Sequence, residues 1–406
     1  MKYFAALMFL AATIACGPAA FGQSDVITSP EVRAVAAAQN GFAFDLLRRL
    51  VQNAPKTNVF ISPVSAHLAL SLAYSGAAGH TKTEMGKTLC LPAETNQSLQ
   101  FANAALIQDL TADDDPPGCM QIANSIWANK DSRFSPAFQQ ACVSDFQASM
   151  NVLDFGSPNA ADTINRWVKA KTGGKIPSIV DRVSRRDALY LLDAVYFRAA
   201  WKTPFPARLT EPQRFTTGSG AGKTVKMMHG HNWYSYGETD VYQAVQVSFE
   251  GVRYYMLVVL PRSGHDLPSL AKSITPETWT KLNGSLRICE GDLYLPRVTI
   301  SYSRELEDDL KALGIREAFS PQADFSAMLQ PRSHISRVIH KTDLRVDEDG
   351  AEAAAATAVG VMRSTVRIAR PQAFTMVVDH PFLCAIVDRK TGAIPFIGTI
   401  NDPMGK

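Results

Sequence analysis

The sequence predicts a single α+β domain, on three observations. The chain of 406 residues is 46% hydrophobic and 19% charged, ordinary for a globular protein with a large core. No Pro/Gly/Ser-rich linker, charge block or internal repeat divides it, so one domain is expected over 23–406. Amphipathic helical segments and apolar strand runs interleave along its length. The formal charge of +3, without a basic run, gives no reason to expect a nucleic-acid partner.

Residues 1–22 read as an export signal. Lys2 is followed by an apolar stretch from Tyr3 to Ala15, too short for a membrane span, and then by small residues. Ala20-Phe21-Gly22 is an A-x-A-like cleavage site, which makes the mature protein secreted or periplasmic. Thr13-Ile14-Ala15-Cys16 is a competing, imperfect lipoprotein box that would leave a lipid anchor on Cys16. Cleavage at Gly22 leaves five cysteines, Cys90, Cys119, Cys142, Cys289 and Cys384. That odd number means at least one thiol stays unpaired or pairs between chains. With no CxxC, a zinc knuckle is not expected, and Cys384, inside an apolar run, reads as a small buried hydrophobe.

Residues 31–52 have helical periodicity, with Phe42, Phe44, Leu46, Leu47 and Leu50 supplying the apolar face. Asn58 to Ser65 (NVFISPVS) precedes a helix over Ala66–Tyr74, with Ser62 and Ser65 as cap candidates. From Leu89 through Asn129 there is no lysine or arginine, and Asp113-Asp114-Asp115 makes the stretch acidic, so it offers a polyanion nothing. Ile122–Trp127 reads as a strand, Ile164–Ile176 as a helix running into a turn, and Leu191–Phe197 as a buried strand continuing to Trp201. Strand runs follow at Val241–Phe249, Tyr254–Leu260 and Leu293–Ile300. Leu306–Leu313 is a helix ended by Gly314.

Two apparent motifs dissolve on inspection. Gly218-Ser219-Gly220-Ala221-Gly222-Lys223-Thr224 looks like a phosphate-binding loop, but position 217 is threonine and Val225–Met228 reads as a strand, so a hairpin turn is expected. His229 and His231 suggest a metal pair without a third ligand at a recognisable spacing. No GxSxG or HExxH is present, so no catalytic residue, cofactor or metal site is assigned.

The most informative stretch is DEDGAEAAAATAVGVMRSTVRIARPQAF, Asp347–Phe374. Alanine content and an acidic first turn favour a helix over Ala351–Thr357. Read with period two instead, Ala351, Ala353, Ala355 and Thr357 share one face of a strand while Glu352 falls on the other. Small side chains with an outward charge suit a strand that slides between two others, and Gly350 is a natural hinge.

This stretch resembles the hinge of the serpins, serine-protease inhibitors whose bait loop inserts into their own main sheet after cleavage. The acidic-Gly-x-Glu-Ala-Ala-Ala-Ala-Thr pattern is characteristic of inhibitory members. NVFISPVS with GAAGHTKTEM, Thr172–Ile176, Ala323–Ser326, Val338–Lys341, MVVDHPFLCAI (Met376–Ile386) and Phe396–Ile400 resemble further family blocks, so the likeness runs from about 35 to 403.

The resemblance implies a serpin fold, with a large, mostly antiparallel main sheet, smaller sheets, about eight or nine helices and an exposed reactive-centre loop over about 348–371. It implies a hinge of Glu348, Gly350, Ala351, Glu352, Ala353, Ala354, Ala355, Ala356 and Thr357. It places Ser62, Ser65, Asp193 and His340 as a hydrogen-bonded gate beneath the sheet centre. Asp193 departs from the family's usual asparagine, and a carboxylate there needs paired donors or a proton. Arg297 and Trp201 are expected where the hinge meets the sheet, with Arg297 pairing Glu348 at the surface.

Family counting puts the specificity residue about fourteen positions past Gly350, on Ser364. A loop one residue shorter puts it on Arg363, which fills a trypsin-like pocket, so the reactive bond is read as Arg363–Ser364. The expected partner is a trypsin-like serine protease. The chain is read as a monomer able to form loop–sheet polymers, with no heparin site on the acidic 89–129 stretch. The alternative is a non-inhibitory serpin-fold binding or carrier protein, cleaved as a plain substrate.

Overall fold

The structure is a computed structural model, and it describes residues 30–91, 97–111, 120–146, 148–351 and 373–405. The export signal, Cys16, Cys119, Glu352–Thr357 and the Arg363–Ser364 bond lie outside the described residues.

The chain begins with helix α1 (Pro30–Asn53), strand β1 (Val59–Ile61), α2 (Pro63–Ser75), α3 (Gly79–Thr88) and α4 (Gln97–Thr111). Strands β2 (Met120–Asn129) and β3 (Arg133–Phe134) lead to α5 (Pro136–Phe146), β4 (Ser149–Leu153) and α6 (Ala160–Lys171). Then come β5 (Leu189–Phe197), β6 (Ala199–Ala200), β7 (Glu211–Thr216), β8 (Gly222–Glu238), β9 (Tyr242–Ser248) and β10 (Tyr254–Pro261). Helices α7 (Leu267–Ser273) and α8 (Pro276–Ser285) precede β11 (Arg287–Pro296), β12 (Val298–Glu305) and α9 (Glu307–Leu313). The remainder is β13 (Leu329–Gln330), β14 (Ile335–Val346), β15 (Gly350–Ala351), β16 (Phe374–Val377), β17 (Phe382–Asp388) and β18 (Phe396–Ile400).

Local chemistry accounts for the helix ends. α2 starts on Ser62, whose hydroxyl accepts from the Ser65 amide, with Pro63 at the first helical position where a missing N–H costs nothing. α8 carries a reciprocal capping box between Thr275 and Thr278, and α9 stops at Gly314 with φ 124°, a torsion that side chains resist. The glycine-rich Gly218–Gly222 stretch is the turn from β7 to β8, closed by the Thr217 amide on the Ala221 carbonyl at 2.8 Å.

The strands form two large sheets. The nine-stranded one runs β1-β18-β17-β10-β9-β8-β11-β16, with β7 on β8, and is antiparallel except where β16 joins β11. The seven-stranded one runs β4-β2-β5-β14-β15-β6, with β12 on β14. Its central pair, β5 and β14, is parallel, from Ile335↔Leu189 to Thr342↔Val195. Every residue of β5 is buried, as a strand covered on both faces requires. Tyr190, Leu192 and Ala194 pack outward with Ile164 and Val168 of α6, while Leu189, Leu191 and Val195 pack inward with the helices and the second sheet.

Two strand expectations need correction. The run Leu293–Ile300 is not one strand: it breaks at Arg297, leaving β11 in the nine-stranded sheet and β12 in the seven-stranded one. The run from Leu191 to Trp201 breaks at Arg198, so β6 diverges from β5 and opens room for β15. Among the described residues no helix is long and apolar enough to cross a membrane.

Candidate functional site: the hinge and the buried polar cluster

The hinge starts inside the sheet. Gly350 and Ala351 form a short strand held antiparallel to both neighbours, with Ala351 opposite Val346 of β14 and Ala199 of β6, and Gly350 opposite Ala200. Glycine is required here: a Cβ on Gly350 would lie 2.2 Å from the Ala199 carbonyl oxygen. The expectation of an exposed loop from about 348 is therefore corrected at its start, where Glu348, Gly350 and Ala351 are buried. The helical reading also fails for Ala351, whose backbone is claimed by two strands. Ala351 faces the core.

Trp201 and Glu348 fix the approach to this strand. The Trp201 indole donates to the Asp347 carbonyl and its amide to the Asp349 carbonyl, both at 2.8 Å, and its ring stacks on Phe249 at 4.5 Å. The Phe205 amide reaches the Glu348 carbonyl at 2.9 Å. The Glu348 carboxylate accepts from Arg297 Nε at 3.0 Å and from Thr210 Oγ1 at 2.5 Å, and its second oxygen lies 2.8 Å from Arg297 Nη2.

The expected surface pair is thus an anchor with a buried carboxylate, to which each charge-assisted bond contributes about 1.5–3 kcal/mol. Burial pushes the Glu348 carboxyl up, but the Thr210 and Arg297 hydrogen bonds outweigh it and hold the group below its ordinary value of 4.5. A depressed carboxyl stabilises the fold above the unfolded value and loses that contribution as pH falls through the folded one.

Beneath the β5/β14 pair lies the second constellation. His340 Nδ1 sits 2.7 Å from Asp193 Oδ2, and the Ser62 amide donates to His340 Nε2 at 3.0 Å. The tautomer follows: Nε2 accepts, so Nδ1 carries the proton towards Asp193. Ser65 Oγ donates to Asn124 Oδ1 at 2.8 Å, and Asn124 Nδ2 returns to the Ser65 carbonyl at 3.2 Å. Thr342 Oγ1 donates to the Phe60 carbonyl at 2.5 Å.

All four expected gate residues are buried at this place. They do not form one ring: Ser62 reaches His340 through its backbone, and Ser65 turns to Asn124. Asn124 and Thr342 were missed. The only sequence signal for Asn124 is a polar residue within the apolar Ile122–Trp127 run.

Asp193 Oδ1 is buried and finds no protein donor among the described residues. The carboxylate therefore has one partnered oxygen and one that burial penalises.

The remaining candidates resolve simply. His229 and His231 both reach Asp292 Oδ1, at 2.8 and 3.2 Å, and no group able to hold a metal occurs among the described residues. Among the described residues Cys90, Cys289 and Cys384 are free thiols, and burial pushes Cys384 up to about 12.

Two outcomes are expected of these sites. Asp193→Asn removes a buried, half-satisfied charge, so it should raise the melting temperature and slow conversion of the native protein to other folded states. An unchanged or lowered melting temperature would sink this account of Asp193. Acidification below about pH 4.5 should loosen the Glu348 anchor and speed amide exchange at Gly350 and Ala351, beyond the intrinsic pH dependence of exchange. Equal protection at pH 4 and pH 7 would contradict it.

The arrangement coincides with known proteins. The family model described as Serpin (serine protease inhibitor) matches residues 37–403. The chain is 33% identical over 383 residues to an uncharacterised serpin-like protein of Thermococcus kodakarensis, covering 93% of this chain and 88% of that one. It is 32% identical over 387 residues to the leukocyte elastase inhibitor of Homo sapiens, covering 91% and 99%. Human thyroxine-binding globulin bound to thyroxine superposes with TM-score 0.84 at 27% identity, covering 92% of this chain and 100% of that one. The thermophilic serpin tengpin in its native state superposes with TM-score 0.82 at 27% identity, covering 93% and 95%. With its hinge held between two strands over a buried polar cluster, this chain belongs to the serpin family.

Proposed function

We propose that this serpin inhibits a trypsin-like serine protease by acting as a suicide substrate. The observation that carries the reading is the placement of Gly350–Ala351 between β14 and β6. On insertion, the continued chain would enter between β5 and β14, antiparallel to both. One parallel pairing is exchanged for two antiparallel ones, which are slightly more stable per residue. The relatives named as leukocyte elastase inhibitors support the same activity class.

The chemistry belongs to the target's own nucleophile. Its serine attacks the Arg363 carbonyl, the peptide bond to Ser364 breaks, and the amine of Ser364 leaves with a proton. The acyl ester stays on Arg363. Insertion then competes with hydrolysis of that ester. Thirteen residues from Gly350 span about 43 Å at ~3.3 Å each, enough to carry an attached protease along the sheet. A native fold held as a kinetic trap supplies the drive. The chain acts outside the cytoplasm, as the residues of the export signal favour.

Ala353→Arg should fold nearly as well as wild type but be cleaved as a substrate, because insertion would bury the charge on the core face. Equal stoichiometry of inhibition in the two proteins would defeat this. Glu348→Lys should raise the rate of polymerisation on mild heating by removing the hinge anchor, and an unchanged rate would make the anchor irrelevant to hinge control. Arg363→Ala should abolish a detergent-stable complex with trypsin. Undiminished trapping, or an acyl-complex mapped to Ser364 with an elastase only, would move the specificity residue to Ser364. Cleavage without any stable complex would favour the carrier reading, which the likeness to thyroxine-binding globulin supports.

A further inference from the structure

On the outward face of the β5/β14 pair, opposite the buried cluster, the structure holds a cavity of about 390 Å3. Its floor is Lys341, Asp343 and Arg345, alternate residues of β14, with Ser301 of β12 beside Asp343 in register. Its roof is the turn after α6, which carries Lys175. The turn spans both strands: Lys341 Nζ donates to the Ser178 carbonyl at 2.8 Å, and the Lys175 ammonium lies 5.5 Å from the Tyr196 ring centre on β5.

Three cationic side chains line this space against one carboxylate. Among the described residues Arg345 makes no ion pair and no side-chain hydrogen bond, and neither does Asp343. Lys341 gives one N–H to Ser178 and keeps two donors, and Ser301 adds a hydroxyl. The concave wall is rich in donors and net cationic, so its complement is a small anion bearing oxygen acceptors. A guanidinium fork and an ammonium together suit phosphate or sulfate.

We propose that this cavity binds a small phosphate- or sulfate-bearing anion. Bound there, the anion ties the α6 turn to β14 and braces the pair that loop insertion must part. That second, regulatory half rests on the insertion reading given above.

The test uses the full native chain and two probes, inorganic pyrophosphate and a disulfated heparin disaccharide, titrated calorimetrically at fixed ionic strength. At least one should bind, and the tighter of the two identifies a phosphate or a sulfated-sugar source. Arg345→Gln should weaken binding about tenfold or more, while Lys281→Gln, on α8 and outside the cavity, should not. Failure of both probes, or equal losses in the two variants, overturns the site. The bound probe should also slow heat-induced polymerisation at least about fivefold in wild type and not in Arg345→Gln. An unchanged rate overturns the brace. A chain that binds the probe but is merely cleaved by trypsin keeps the site and overturns the inhibitor reading, so the two failures are distinguishable.

Discussion

The pairing of β5 with β14 is the constraint on which the rest of the structure depends. It is a parallel contact at the middle of a sheet, and its upper end is already parted by Gly350 and Ala351. For the insertion proposed above, a pair that must part cannot be welded by apolar packing alone. Large interlocked side chains would make parting as costly as opening a core. Under this pair the chain instead places Asp193, His340, Ser62 and Thr342, whose contacts are directional. Each bond contributes only about 1 kcal/mol net, yet an unmade one costs more, so the pair is held in register without being sealed.

Arg297 gives the hinge a connection to both sheets. It stands where β11 leaves one sheet and β12 starts in the other, and its guanidinium grips Glu348 with two nitrogens. Trp201, stacked on Phe249 of the connection after β9, holds the two carbonyls on either side of Glu348. The first residues of the hinge are therefore positioned by side chains from three separate stretches of chain. The anchor and the strand pairing act in series: Glu348 sets where the hinge enters, and Gly350, close against the Ala199 carbonyl, sets how deep it sits.

Much of this was legible because it depends on local period and chemistry. The Pro63 start of α2, the Gly314 stop of α9 and the unbroken apolar run of β5 are written in neighbouring residues. The alanine stretch was not decidable that way, since AEAAAAT satisfies both helix propensity and a small-residue strand face. Tertiary pairing with β14 and β6 decides Ala351. The break at Arg297 was invisible because both flanks keep strand character, and only their partners differ. Asn124 and Thr210 were missed for the same reason. Their roles come from residues far away in sequence, Ser65 and Glu348, and no periodicity encodes such contacts.

Asp193 is where the chain departs from local consistency. The Ser62 amide fixes His340 Nε2 as an acceptor, so His340 satisfies one carboxylate oxygen through Nδ1 and can do nothing for the other. A primary amide at this position would be neutral, with its oxygen towards His340 and its NH2 in place of the second oxygen. The carboxylate instead leaves Oδ1 buried beside Leu191 and Val195 on the same face of β5, with no protein donor among the described residues. Under the insertion proposed above, an unsatisfied group would raise the free energy of the closed pair, because parting β5 from β14 would expose that oxygen to new partners. On that proposal Asp193 would favour opening of the pair without touching the hinge. It would then couple the chemistry of one buried oxygen to the parting of the two strands.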